Sequence, residues 1–468
     1  MARRSSAAHH TRQETRSTGA PRAVRQRAAA LTLTLAVSGL AGTMPAHAAA
    51  PTPVGCNADP IAAGTLLKTA ISTASPGDTL SLASYCVYGY DDSNKTDATN
   101  ALVIDKNLTI TGNHATLKRT AGTLRLIHLT NTSTLTLDTL AVINGNPGND
   151  NGGGISTDAG TTLTATNLIL QGNAVGSAAG GGLYSVDSTI TLTGGTIKDN
   201  RTGPATFAGG AYLSGTVFFH GVTVTGNRAG ASGDGGIYQS DGDLTIDQNS
   251  VISNNTAAYA AGIETAGDSV TIINSRITNN TATENGGGIY AGANTTILID
   301  SLVSGNTVTK SDTPQGAGIF VGDPTTLSGT TVSNNKLIGQ NGQGAGIYIS
   351  GSPLTAVSSS VISGNLASGQ YSTGGGIHAD SGSAFLQNTS VNANKVSGTG
   401  SFAAGIYSTN SSFSLLNSTV NNNTAPSTPA PGGIWTDSQF GTTAGSTITG
   451  NTPTNCLLSP VIPTGCIG

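Results

Sequence analysis

From about residue 100 to residue 451, apolar residues come in short runs of two to four, separated by Ser, Thr, Gly and Asn. No run keeps a helical 3.6-residue period after residue 75, so the pattern predicts short strands. An apolar residue, two small or polar residues and then Asn recurs 13 times, at Asn113, Asn146, Asn173, Asn200, Asn227, Asn255, Asn280, Asn306, Asn335, Asn365, Asn394, Asn423 and Asn451, with a mean spacing of about 28 residues. A second anchor is a Gly followed by an aliphatic residue, at Gly154, Gly182, Gly210, Gly236, Gly262, Gly288, Gly318, Gly346, Gly376, Gly405 and Gly433. Each anchor Gly precedes its Asn by 17 to 19 residues.

One period, Gly288 to Asn306, reads as three strands, at 288–290, 296–299 and 302–304. None is long enough to fold alone, but identical turns stacked on one another pair every strand with its copy above and below. The pattern therefore predicts an all-β fold, a right-handed parallel β-helix of about 12–14 turns. Asn suits the sharp turns between flat sheets, because it tolerates φ > 0 and its side chain can bond along the axis. Residues 60–74 read as a short amphipathic helix with Leu66, Leu67, Ala70 and Ile71 on one face, stopped by Ser75-Pro76-Gly77-Asp78. A strand at Thr79–Leu82 follows. The helix caps an otherwise open sheet edge, and the Pro-containing tail caps the other end.

Composition changes the picture at the ends. Seven of the 20 Lys and Arg lie between Arg3 and Arg27, followed by an apolar stretch from Ala28 to Met44 and then Ala46-His47-Ala48. This is the pattern of a signal peptide with an A-x-A cleavage site, too short and unaccompanied to span a membrane. Arg3-Arg4 sits too far from the apolar run for a twin-arginine signal, and Pro53 before Val54-Gly55-Cys56 argues against lipidation. The expected organisation is a leader at 1–48, an N-terminal cap at 49–98, the β-helix at 99–452 and a C-terminal cap at 453–468, in a secreted, extracellular protein. Beyond residue 48 there are 13 Lys and Arg against 23 Asp and Glu, a net charge of −10, which disfavours nucleic acid as a partner. The four cysteines form one pair at each end; export and locality predict the disulfides Cys56–Cys86 and Cys456–Cys466. No cofactor or metal site is expected.

Gly-Gly-Gly-Ile at 152–155, 286–289 and 374–377, together with the Ile/Val-x-x-Asn motif, resembles the GGAI and FxxN repeats of the chlamydial polymorphic membrane proteins. The segment Leu67 to Leu82 is similar to the cap of pectate-lyase-like β-helix proteins. The resemblance covers roughly residues 60–451 and implies the fold, with surface display and adhesion on the polymorphic side. The chain ends 17 residues after Asn451, so the β-barrel of that family is not expected here. The catalytic sets of pectate-lyase-like enzymes are not recognisable: there is no Gly-His-Gly, and Arg276-Ile277-Thr278 lacks the Lys of an Arg-Ile-Lys.

One constellation stands out. The residue two after each anchor Gly runs Ser156, Tyr184, Tyr212, Tyr238, Glu264, Tyr290, Phe320, Tyr348, His378, Tyr407 and Trp435. The residue before each is aliphatic, so strand alternation places this column outside. It is either a packed ladder of rings covered by loops or a binding track for sugar rings or a surface protein. The segment from each Asn to the next anchor Gly is shortest, at seven positions, before Gly262 and reaches ten to twelve from Gly318 onward. A rim that dips there would leave Glu264, one of two Glu beyond the leader, open between Tyr238 and Tyr290 as an ordinary exposed acid or a catalytic one. His378 reads as an aromatic substitute or a proton carrier. Arg201 and Arg228, each after a repeat Asn, are expected side by side, and Asp91, Asp92 and Asp97 share a polar loop open to Ca²⁺ or to solvent. The resulting functional expectation is a non-enzymatic extracellular binding or adhesin-like protein that recognises glycans through its aromatic face. The alternative is a polysaccharide lyase or glycoside hydrolase.

Overall fold

The backbone coils into a parallel solenoid whose strands are held by their counterparts one turn away. The computed structural model describes residues 50–468 apart from 205, 232, 311 and 427–430, so the leader read at 1–48 lies outside the described residues. Thirteen strands, one per turn, stack in the sheet that runs from Asn100–Ile104 to Ile434–Thr436. Two further faces form one 26-stranded sheet, because the long strands Leu108–Arg119 and Thr134–Ile143 run through both. Every named strand pairing is parallel, for example Ile263↔Ile289↔Ile319. No helix among the described residues is long and apolar enough to cross a membrane.

The period read from Gly288 to Asn306 resolves into strands Ile289–Ala291, Thr295–Ile299 and Leu302–Ser304, and a fourth, Thr307–Val308. This fourth strand belongs to a six-stranded sheet from Thr256–Tyr259 to Lys395–Ser397, where the spacing pattern predicts only connecting loops. Its inward residues Ala257, Ala282, Val308, Leu337, Ala367 and Val396 form a second, smaller core. The main core is a set of axial columns, among them Ile237, Ile263, Ile289, Ile319, Ile347, Ile377, Ile406 and Ile434, all fully buried. Each such side chain contributes about 1.5–3 kcal/mol by leaving water.

The two sequence anchors recur together because they touch. A Cβ on Gly288 would lie 2.5 Å from the carbonyl oxygen of Gly318 and 2.9 Å from Nδ2 of Asn306. Only Gly lets the chain approach the repeat Asn so closely. That Asn is buried and bonds along the axis: Nδ2 of Asn280 donates to Oδ1 of Asn306 at 3.0 Å, and Nδ2 of Asn306 donates to Oδ1 of Asn335 at 3.0 Å. The ladder runs unbroken from Asn173 to Asn451 and ends on Oδ1 of Asn455.

Two expectations about this ladder are corrected. Asn113 and Asn146 stand outside it: Gly145 occupies the ladder position before Asn173, and Asn113 instead donates to the Leu82 carbonyl at another corner. The positive φ belongs to the residue before the ladder Asn, as at Asn254, Asn279, Gly305, Asn334 and Asn422. The ladder Asn is there for its amide, which satisfies two buried backbone groups of the preceding turn, as Asn306 does for Ile277 and Asn280.

At the N-terminus the helix spans Pro60–Thr73, with Asp59 accepting from the Ile61 amide as its N-cap. Its buried face is Ala63, Gly64, Leu67 and Ile71; Leu66, read as part of that face, is 44% exposed. Gly64 lies against the Gly89 carbonyl, a close approach that fixes the helix's rotation and turns Leu66 to solvent. Lys106 donates to the Ile71, Ser72 and Ala74 carbonyls and so caps the helix C-terminus. Both disulfides, Cys56–Cys86 and Cys456–Cys466, are formed as the spacing predicts.

Candidate functional site: a break in the aromatic column

The strand alternation that turns Ile263 and Ile289 inward turns the column residues outward, in register Tyr238↔Glu264↔Tyr290↔Phe320. The rings stack on one another. Tyr184 and Tyr212 lie 4.9 Å apart between centroids, and Tyr212 and Tyr238 lie 5.2 Å apart. Beyond Glu264 a second stack runs Tyr290, Phe320, Tyr348, His378, Tyr407 and Trp435, with successive centroids 4.4–5.3 Å apart.

A ring stacked on both sides shows only its edge, so a continuous track of flat exposed faces does not exist here. Phe320, Tyr348 and His378 are also buried, in the turns where the connecting segments are longest. Tyr184, Tyr212, Tyr238, Glu264, Tyr290, Tyr407 and Trp435 are partly exposed, and Ser156 is buried. Inside its stack His378 shares a hydrogen bond of 2.9 Å with the Thr373 hydroxyl, and burial pulls its pKa down to about 3.

The break at Glu264 is the exception to edge-only exposure. Tyr290 is capped by Phe320 at 4.4 Å on one side, and Tyr238 is covered by Phe207 at 5.0 Å and by Tyr212. Toward Glu264 neither has a ring neighbour among the described residues. Two tyrosine rings therefore confront each other across one carboxylate. Phe207 and Tyr259, 44% and 39% exposed, stand near these rings: Phe207 stacks on Tyr238, and the Tyr259 hydroxyl is close enough to raise the pKa of Tyr290.

Asp234 completes the site and was not legible as a site residue from the column alone. It lies two residues before anchor Gly236, and its carboxyl is a close neighbour of that of Glu264. In nine of the eleven turns this position is a Gly or Ala with positive φ, because the chain bends there over the column; a Cβ on Gly286 would meet the Tyr290 Cβ at 3.1 Å. Asp234 and Pro431 are the exceptions. Asp234 is 1% exposed, and its Oδ2 has no hydrogen-bond donor among the described residues. Burial, and then the Glu264 carboxyl, raise its pKa well above the usual carboxylate range. Burial and Glu264 likewise raise the hydroxyls of Tyr238 and Tyr290. The signal in the sequence was the one carboxylate at a position otherwise given to Gly, Ala or Pro.

Other expected residues do not join this site. Arg201 and Arg228 are register neighbours and exposed. Asp91, Asp92 and Asp97 each turn to a local partner, Ser93, Lys95 and Asn100 respectively, and no group of three or more His, Cys, Asp or Glu side chains among the described residues is arranged to hold a metal. Two further aromatic features escaped the sequence reading. His128 continues the column below Ser156 and pairs with Asp158 at 3.0 Å. Tyr85, 75% exposed, stacks on His114 at 5.1 Å beside a groove of about 710 Å³.

No curated protein and no solved structure matches the chain. The family model described as "Right handed beta helix region" matches residues 125–308 and 261–459. That span contains the whole aromatic column, its break at Glu264 and twelve of the thirteen stacked turns, and the chain belongs to the right-handed β-helix family.

Proposed function

We propose that this is an exported binding protein that recognises carbohydrate where the aromatic column is broken, between Tyr238 and Tyr290. The observation that carries the reading is the pair of ring faces left without ring neighbours on either side of Glu264. Aromatic faces suit the apolar faces of sugar rings, and a carboxylate between them receives hydroxyl donors. The likeness of the Gly-Gly-Gly-Ile repeats to polymorphic membrane proteins supports display and adhesion in the same direction. The leader-like residues 1–48 support export.

A second reading, hydrolysis or elimination on a polysaccharide, is favoured by the paired carboxyls of Asp234 and Glu264. Glycoside hydrolysis places its two carboxyls about 5 Å or more apart, across the scissile bond. Here the Asp234 carboxyl is buried and interacts directly with that of Glu264, so recognition is the better account.

The test is binding of the secreted chain to an array of polysaccharides. Tyr238→Ala and Tyr290→Ala should each weaken retention by about tenfold while the fold is kept, because partly exposed rings contribute about 1 kcal/mol or less to a coil held by its inner columns. Tyr371→Ala, on an exposed residue outside the column, should change nothing. Retention unchanged in both column variants overturns the reading, and bond cleavage that depends on Glu264 replaces it with the enzymatic one.

A further inference from the structure

The geometry points to the slot between Tyr238 and Tyr290 as a receptor for a protonated amine, so that the carbohydrate recognised carries free amino groups. This rests on the carbohydrate reading above and names its substrate class. Three features of the slot converge. Its walls are tyrosine rings, with Phe207 stacked behind one of them, and ring faces are the negative pole of the aromatic quadrupole. Its floor is a pair of carboxyls, Glu264 reaching solvent and Asp234 buried behind it. No cation answers them: the ion pairs among the described residues are Lys95–Asp92, His128–Asp158, His220–Asp247 and Lys310–Glu284, and none includes Asp234 or Glu264.

A buried carboxyl with an unpartnered oxygen costs free energy unless a donor arrives. In the free protein burial and the neighbouring Glu264 favour the protonated form of Asp234, which lessens that cost. An ammonium group relieves it better, since it brings three donors and a full charge and is attracted to the ring faces on both sides. A hard divalent ion fits less well, because it wants six or more oxygen ligands and the walls offer ring carbon. The groups around the pair are Tyr238 and Tyr290, with Tyr212, Tyr259 and Asp323 beyond them, and none of these side chains carries a positive charge. A cation in the slot favours the ionised form of Asp234, so binding of the amine should release the Asp234 proton to solvent.

The experiment is titration calorimetry on the mature chain at pH 6 with three tetrasaccharides: glucosamine, N-acetylglucosamine and glucose oligomers. Tetramethylammonium chloride serves as a probe that needs no sugar. The glucosamine oligomer should bind about tenfold more tightly than its acetylated form, and Glu264→Gln and Asp234→Asn should each erase that preference. Repeating the wild-type titration in two buffers of different ionisation heat should show about one proton released per ligand, and Asp234→Asn should release none. Should Asp234→Asn fail to fold, Glu264→Gln, on a partly exposed side chain, carries the test alone. Equal or tighter binding of the acetylated or neutral oligomer overturns the amine slot and leaves carbohydrate recognition standing. Calcium chloride that binds alone and blocks the oligomer overturns it in favour of a metal site. If no oligomer binds but tetramethylammonium does, in a Glu264-dependent way, the carbohydrate reading falls and the ammonium slot stands. If nothing binds, both fall.

Discussion

Single side chains in this coil act through their turns. Oδ1 of Asn306 accepts both the backbone amide and Nδ2 of Asn280, and its own Nδ2 donates to Ile277 and Asn335. Asn306→Ala strands several buried polar groups at once and should cost about 3 kcal/mol or more, read as a shift of the denaturant midpoint. Asn113→Ala, outside the ladder, should cost much less, and an equal loss at the two positions contradicts the assignment. His378 adds a pH dependence. Its folded pKa is about 3 against about 6.5 when unfolded, so between those values the unfolded chain binds the extra proton. The stability it supports is full above pH 6.5 and is lost as the pH falls toward 3. His378→Phe keeps a ring in the stack and should flatten the stability profile across that window; an unchanged acid slope would show that other groups set it.

At the scale of elements, legibility followed how much of an element is fixed by its own repeat. The Gly and Asn anchors gave the turn, the inner Ile column and the outer column, because each is a contact repeated every turn, such as Gly288 against Asn306. The fourth strand was hidden because Thr307–Val308 offers one inward apolar residue, too little for any period to show. Leu66 was misplaced because a helix face is set by what it packs on, here Gly64 against the Gly89 carbonyl. Spacing located the aromatic column but not the tilt of its rings, and ring orientation decides whether faces or edges meet solvent. Asp234 is marked in the sequence only as the one carboxylate at its position; its pairing with Glu264, 30 residues on, exists only once the two turns are stacked. The longer connecting segments from Gly318 onward were visible in the sequence, and the buried rings Phe320, Tyr348 and His378 fall in those turns.

Over the whole molecule, order is passed from neighbour to neighbour, so the ends decide how the coil opens. Turns in the middle have a partner on each side, whereas the first and last have one. Both ends are reinforced covalently. Cys56–Cys86 ties the segment before the helix to the first strands, where Thr52–Val54 pairs with Leu80–Leu82. Cys456–Cys466 closes the tail beside Asn455, which ends the ladder by accepting from Asn451 and donating to the Ile467 carbonyl. Closing loops of these lengths lowers the entropy of the unfolded ends, by about 3–4 kcal/mol at the first bond and about 2–3 kcal/mol at the second. Reduction should therefore be felt locally. Hydrogen exchange after reduction should quicken at 52–54, 80–82 and 447–455, while the amides of strands such as Ile263–Thr265 and Ile289–Ala291 keep their protection. The change should fade within a few turns of each end, because a central strand loses nothing until its neighbour has already come away. Exchange that quickens uniformly along the coil would mean that the turns open together, and the neighbour-to-neighbour account would have to be given up.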